Sequence, residues 1–186
     1  MQADLFERAA PSGLATRNAL ISDAEEQQLI AAIDDIALEP FRFQQWTGKR
    51  LTRSFGWHYD FEGGRLASAD PIPDFLLPVR DRAASFAGLA PGELVQALVI
   101  RYDPGAGIGW HRDRPVFEHV VGVSLGAPAI LRLRHRRPCG FDRSSIPLDP
   151  RAAYHLSGEV RHDWEHSMVA MTDTRWSLTF RSLAGR

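Results

Sequence analysis

The stretch VQALVIRYDPGAGIGWHRD, residues 95–113, sets the architecture. Val95–Tyr102 is a short run of apolar and β-branched residues, Pro104-Gly105 signals a turn, and Ile108–His111 resumes an extended pattern. The same alternation of strand and turn continues toward the C-terminus. His119–Leu125, Ile130–His135, Ile146–Leu148, Ala152–Leu156, Val160–Trp164 and Trp176–Ser182 read as strands, separated by turns such as Pro138-Cys139-Gly140 and Ser157-Gly158. Many short strands at this spacing predict a sandwich or jelly roll rather than alternating βαβ units.

Toward the N-terminus the pattern changes. Ser22 with Glu25 three residues later is a capping box ahead of Leu29, Ile30, Ile33 and Ile36, and predicts a helix. A second helix is expected from near Pro73 to Gly88, with Phe75, Leu76, Val79, Ala83 and Phe86 as its inner stripe. Residues 1–20 read as a loosely structured lead-in. Gly48 and Gly56 break the aromatic run from Phe41 to Tyr59 into short extended pieces, in which Phe55, Trp57 and Tyr59 alternate and are expected to share one face of a strand. The expected class is mainly β with flanking helices (α+β), the N-terminal helices packed on one sheet. At 186 residues the chain reads as a single domain, 1–186.

Composition narrows the function classes. With 44% hydrophobic and 24% charged residues the chain is neither collagen-like, nor a disulfide scaffold, nor intrinsically disordered. Its 22 basic and 23 acidic groups exclude a globally basic nucleic-acid coat. The charge is uneven, however: residues 1–100 carry 9 basic and 14 acidic groups, residues 101–186 carry 13 and 9, so a polyanion would meet the second half. The lone cysteine, Cys139, suits a reducing compartment. Without an apolar stretch approaching the roughly 20 residues of a membrane helix, and without a signal-peptide pattern, the chain is expected to be soluble and cytoplasmic. No membrane and no obligate protein partner is expected.

The chemistry starts at His111 and Asp113. Residues two apart on an extended chain point to the same side, so an imidazole and a carboxylate converge there. One distant histidine would complete a facial triad that leaves positions open on non-haem iron(II). The chain has seven histidines; His166, nine residues before Arg175, can supply the third ligand, and His162, four residues earlier, could share a strand face with it. Arg175 and Arg181 are six apart and so face the same way on a strand, about 20 Å apart at roughly 3.3 Å per residue. Two such forks could bracket a small dicarboxylate, because arginine binds carboxylates bidentately.

Together these segments resemble the AlkB family of Fe(II)- and 2-oxoglutarate-dependent dioxygenases. The matching pieces are Arg101-Tyr102-x-Pro104-Gly105 before His111-x-Asp113, then His166, then Arg175 followed by Ser177 and Leu178-Thr179-Phe180-Arg181. The likeness covers roughly residues 95–183, the expected jelly-roll core, and loosely residues 40–65, the expected substrate lid. It implies a double-stranded β-helix, with iron on His111, Asp113 and His166. It further implies that Arg175 and Tyr102 grip the distal carboxylate of 2-oxoglutarate, and that Arg181 sits nearer the metal. The implied reaction uses O2 to oxidise an N-methyl carbon, which is then lost as formaldehyde. Phe55, Trp57 and Tyr59 would form the lid over the substrate. One position departs from the pattern: many members carry asparagine two residues before the tyrosine, where this chain has Ile100.

Three functions remain open at this stage: demethylation of N-alkylated bases in DNA or RNA, the same chemistry on a methylated protein side chain or small molecule, and a binding module without turnover. The run Leu131-Arg132-Leu133-Arg134-His135-Arg136-Arg137 reads as leucine inward and arginine outward, either an exposed strand face or a phosphate-tracking ridge. Trp110 is expected to pack away from the metal. His58, His119, His135 and His155 are expected to be surface or structural residues.

Overall fold

The computed structural model describes residues 10–43, 46–60 and 63–185. The capping box forms as predicted: Ser22 Oγ accepts from the Glu25 backbone N–H at 3.3 Å, and Glu25 accepts from the Ser22 N–H at 2.8 Å. It starts helix α1, Asp23–Asp34. A 3-10 turn at Asp74–Leu76 leads into α2, Leu77–Ala87, which ends on Gly88 in the left-handed conformation (φ 71°).

All strand pairings are antiparallel. The larger sheet has β1 (Leu14–Arg17), β2 (Glu39–Phe43), β3 (Trp46–Phe55), β6 (Gln96–Tyr102), β8 (Phe117–Gly126), β11 (Ala153–Leu156) and β13 (Arg175–Leu183), in the order β1-β11-β8-β13-β6-β3-β2. The smaller sheet has β7 (Ile108–His111), β9 (Ala129–Arg136), β10 (Phe141–Leu148) and β12 (Trp164–Met168), in the order β10-β9-β12-β7. A hairpin of β4 (Trp57–Asp60) and β5 (Arg65–Ser68) stands apart.

Strand alternation sorts the side chains into two cores. Ala97, Val99, Val121, Val123, Leu178 and Phe180 face Leu29 and Ile33 of α1 and Leu76, Val79 and Ala83 near and within α2. Ile100, Tyr102, Val120, Leu131, Leu133, Leu148, Tyr154 and Met168 fill the space between the two sheets. This is the expected jelly roll, with the N-terminal helices on the outer face of one sheet. Gly122, in mid-strand on β8, lies opposite Tyr154 on β11, and an added Cβ would come within 2.2 Å of that ring. The glycine leaves the room that the tyrosine fills.

Four expectations change. The lead-in contains β1, an edge strand on β11 whose polar residues hide its period. Ser157-Gly158 opens a short helix, α3 (Gly158–His162), so that the strand expected at Val160–Trp164 starts at Trp164. His162 is therefore on a helix, paired with Glu118 at 2.9 Å, and shares no strand face with His166. Gly48 does not break β3; it falls where that strand bulges against β2. Gly56 does break the chain (φ 75°), and this ends the alternation: Phe55 closes β3 facing the helices, while Trp57 and Tyr59 lie on β4, so the three share no face.

On the outer face of the larger sheet His119 Nδ1 and His155 Nε2 lie 3.0 Å apart, with the rings stacked. Burial, and then the nearness of His119, push the His155 pKa from 6.5 down to about 4. The unfolded chain therefore takes up this proton first as pH falls. The stability held by the neutral ring is complete above pH 6.5 and is lost on acidification toward pH 4, by about 2–3 kcal/mol. Thermal melts between pH 7 and 4.5 should show this loss, and a His155→Gln variant should flatten the slope; equal slopes would overturn the assignment.

Candidate active site

His111, the last residue of β7, lies directly opposite His166 on β12, with ring centroids 4.2 Å apart. Asp113 follows two residues on. Buried Arg161 of α3 holds the turn beyond it, Nη2 donating to the Arg114 and Phe117 carbonyls at 2.6 and 2.5 Å. The ligand atoms of His111, Asp113 and His166 all lie within 4.8 Å of one another.

The donor set fits a divalent iron. His111 Nδ1 lies 2.9 Å from the Gly109 carbonyl, which can only accept, so the proton sits on Nδ1 and Nε2 is left as a lone-pair donor. Burial pushes the His166 pKa down to about 3, helped by His111 beside it, and burial lowers His111 as well. Both rings are thus neutral at physiological pH, as metal ligation requires. Burial alone would raise the Asp113 pKa, but Arg181, His166 and His111 outweigh it and hold the carboxyl well below the usual range. Arg181 donates through Nε and Nη2 to Asp113 Oδ1 at 3.0 and 2.6 Å. Asp113 Oδ2 is turned toward His166 Nε2, 3.5 Å away.

The site also fits a small dicarboxylate. Arg175 is fully buried on β13; its Nη2 donates to Ser124 Oγ at 3.2 Å, while Nε and Nη1 have no partner among the described residues. A buried guanidinium with two idle donors is costly unless an anion completes it. Tyr102 lies opposite Arg175 on β6, the guanidinium carbon 5.4 Å from its ring centroid. Burial raises the Tyr102 pKa, so the phenol keeps its proton and can donate it in a hydrogen bond.

A cavity of about 1120 Å³ is lined by Tyr102, His111, Asp113, His166, Ser177, Thr179 and Arg181; Arg175 is not among its lining residues and lies behind Tyr102, fully buried. Of the expected lid residues, Tyr59 lines it, Trp57 is not among its lining residues, and Phe55 is buried in the helix-facing core. Trp110 borders the cavity and lies under the guanidinium groups of Arg132 and Arg134, 5.1 and 4.4 Å from their central carbons. Those two arginines are themselves partnered by Ser167 and Glu165. Sequence reasoning missed Arg50, Thr52, His58 and Tyr154, which also line the cavity. Alternation along Arg50-Leu51-Thr52-Arg53-Ser54-Phe55 was the signal that could have found the first two, because it places Phe55 on the opposite face.

Comparison with known proteins agrees with this geometry. The family model described as the 2OG-Fe(II) oxygenase superfamily matches residues 17–181. The alpha-ketoglutarate-dependent dioxygenase AlkB of Salmonella typhimurium is 30% identical, over 70% of this chain and 68% of that protein. AlkB of Escherichia coli is 28% identical, over 83% of each. An alkylated DNA repair protein ALKBH8 homolog of Arabidopsis thaliana is 28% identical over 78% of this chain but only 47% of its own length, so the chain spans about half of that relative. The solved structure of OsALKBH1 superposes with a TM-score of 0.70 over 91% of this chain and 96% of that one; at 15% identity it shows a shared fold. With that match from residue 17 to 181 and a triad and buried arginine suited to iron and a dicarboxylate, the chain belongs to the 2OG-Fe(II) oxygenase superfamily.

Proposed function

We propose that this chain oxidatively demethylates N-alkylated bases in DNA or RNA, with iron(II) held by His111, Asp113 and His166 and 2-oxoglutarate by Arg175 and Tyr102. The observation that carries the cosubstrate assignment is Arg175, a buried cation with two nitrogens unpartnered among the described residues, beside a protonated phenol. When bound, iron supplies the redox chemistry in which O2 and 2-oxoglutarate become succinate and CO2 while one oxygen atom enters the N-methyl C–H bond. The hydroxymethyl group so formed then leaves as formaldehyde and returns N–H to the base.

The protein's share is placement. Arg181 fixes the Asp113 carboxylate by two donors to one oxygen, and the Gly109 carbonyl fixes the His111 tautomer. Ile100, Leu98 and Met168 give the cavity dry walls, which strengthen its ion pairs. The names of the relatives support nucleic acid as substrate. The cavity lining adds to this: apart from Arg50 and the Arg181–Asp113 pair, it carries Arg42, Arg53, Arg112 and Arg114 against Glu39. Tyr59, whose ring lies 4.8 Å from the Arg114 guanidinium carbon, offers an aromatic face on which a base extruded from its stack can rest.

The test is succinate release by the iron-loaded protein with 2-oxoglutarate and O2, with and without N-methylated single-stranded oligonucleotides. Methylated strands should raise the rate at least tenfold over unmethylated ones, with formaldehyde formed in equal amount. Binding of the strands should weaken steeply as salt rises. Succinate release that no oligonucleotide alters would overturn nucleic acid as the substrate.

A further inference from the structure

Beside Arg175 and Tyr102 the larger sheet carries another buried arginine, Arg50. On β13 and β6 Arg175 pairs with Tyr102, and on β6 and β3 Arg101 pairs with Leu51. That pairing ends at Leu51, and Arg50, the next residue of β3, lies close enough to Tyr102 to interact with it electrostatically. Arg175, Tyr102 and Arg50 thus form one row across three strands, 0%, 1% and 8% exposed. The next row is Ser177, Ile100 and Thr52, where Ile100 offers no hydrogen bond to a ligand. Arg50 also sits in the bulge of β3, where residues 48–50 face Phe41 alone between the Arg42–Thr47 and Pro40–Leu51 pairs. Bulges of this kind re-aim a side chain.

Arg50 lines the cavity together with His111 and Asp113. Its guanidinium carbon lies 3.8 Å from the Phe41 ring centroid, a stack that leaves the N–H edges of the fork free to donate. Among the described residues it has no carboxylate partner, because Asp113 is already taken by Arg181. Burial pushes its pKa down, the cost of a charge held away from water.

From this row we infer that Arg50 binds a carboxylate of 2-oxoglutarate, so that the cosubstrate is held by two arginines flanking Tyr102. The inference rests on the cosubstrate site proposed above. The depth of the residue selects the ligand. A free five-carbon diacid reaches a side chain that is 8% exposed, whereas a nucleic-acid phosphate meets the more open arginines near the mouth, such as the exposed Arg42. The pair of cations also fits a dianion better than a single arginine would.

The test is calorimetric titration of 2-oxoglutarate into the protein loaded with Mn(II), which stands in for iron without turnover, for the wild type, Arg50→Gln and Arg50→Lys. Arg50→Gln should raise the dissociation constant on the order of 10- to 100-fold, Arg50→Lys by less, and both should keep the wild-type affinity for Mn(II). The same variants should lose part of the rise in melting temperature that 2-oxoglutarate gives the wild type, a readout that survives if Arg50→Gln is too unstable to titrate. Unchanged 2-oxoglutarate affinity with weakened oligonucleotide binding would overturn the inference and assign Arg50 to the substrate. A wild type that binds Mn(II) but no 2-oxoglutarate would instead overturn the cosubstrate site itself.

Discussion

Asp113→Ala is expected to bind no iron, to release succinate no faster than protein-free solution, and to melt well below the wild type. The first two effects follow from removing one of three ligands in a site whose remaining donors are two neutral imidazoles. The third follows from Arg181, which is 8% exposed and donates twice to this carboxylate. Removing one partner of a buried pair strands the other charge, at a cost of about 3–5 kcal/mol. For a chain of this size that is roughly 10 °C in melting temperature. The double variant Asp113→Ala/Arg181→Met should regain much of the stability and none of the iron binding. Iron analysis and thermal melts on the three proteins check this, and iron retained at wild-type affinity by Asp113→Ala would refute the ligand assignment.

Arg175→Met should separate stability from binding in the opposite way. The guanidinium is fully buried, and among the described residues only its Nη2 is hydrogen-bonded, to Ser124. An apolar side chain of similar length removes an uncompensated charge, so the ligand-free protein should melt at the wild-type temperature or above it. Affinity for 2-oxoglutarate should fall by about 100-fold or more, since losing a buried charged partner costs about 2–5 kcal/mol. Melts with and without 2-oxoglutarate give both results: the ligand-dependent rise should vanish while the ligand-free value holds. A large drop in the ligand-free melting temperature would show that Arg175 is a structural residue.

Much of this was legible from the chain because strand alternation is a strong code. His111 and Asp113 two apart, Arg175 and Arg181 six apart, and the leucine–arginine alternation at 131–134 each sorted onto the expected side. Alternation failed where a single backbone conformation reset it. Gly56 at positive φ separates Phe55 from Trp57 and Tyr59; the glycine announced a break, but not that the chain leaves one sheet for a separate hairpin there. Arg50 stayed hidden for a related reason. Its neighbours Lys49 and Arg53 are also cationic; alternation back from Phe55 gives its face, but its depth comes from the bulge opposite Phe41 and the register with β6. Arg161 gave no local signal either, because its partners are backbone carbonyls about 45 residues earlier.

The groups proposed to hold iron and 2-oxoglutarate are divided between the two leaves of the sandwich. His111 and His166 stand on β7 and β12 of the smaller sheet, whereas Tyr102, Arg175 and Arg181 stand on β6 and β13 of the larger. On the proposed assignment, a dicarboxylate held at one end by the arginines and at the other by the metal would tie the two sheets together across the cavity. The spacing of the leaves and the reach of the cosubstrate are one dimension of the molecule.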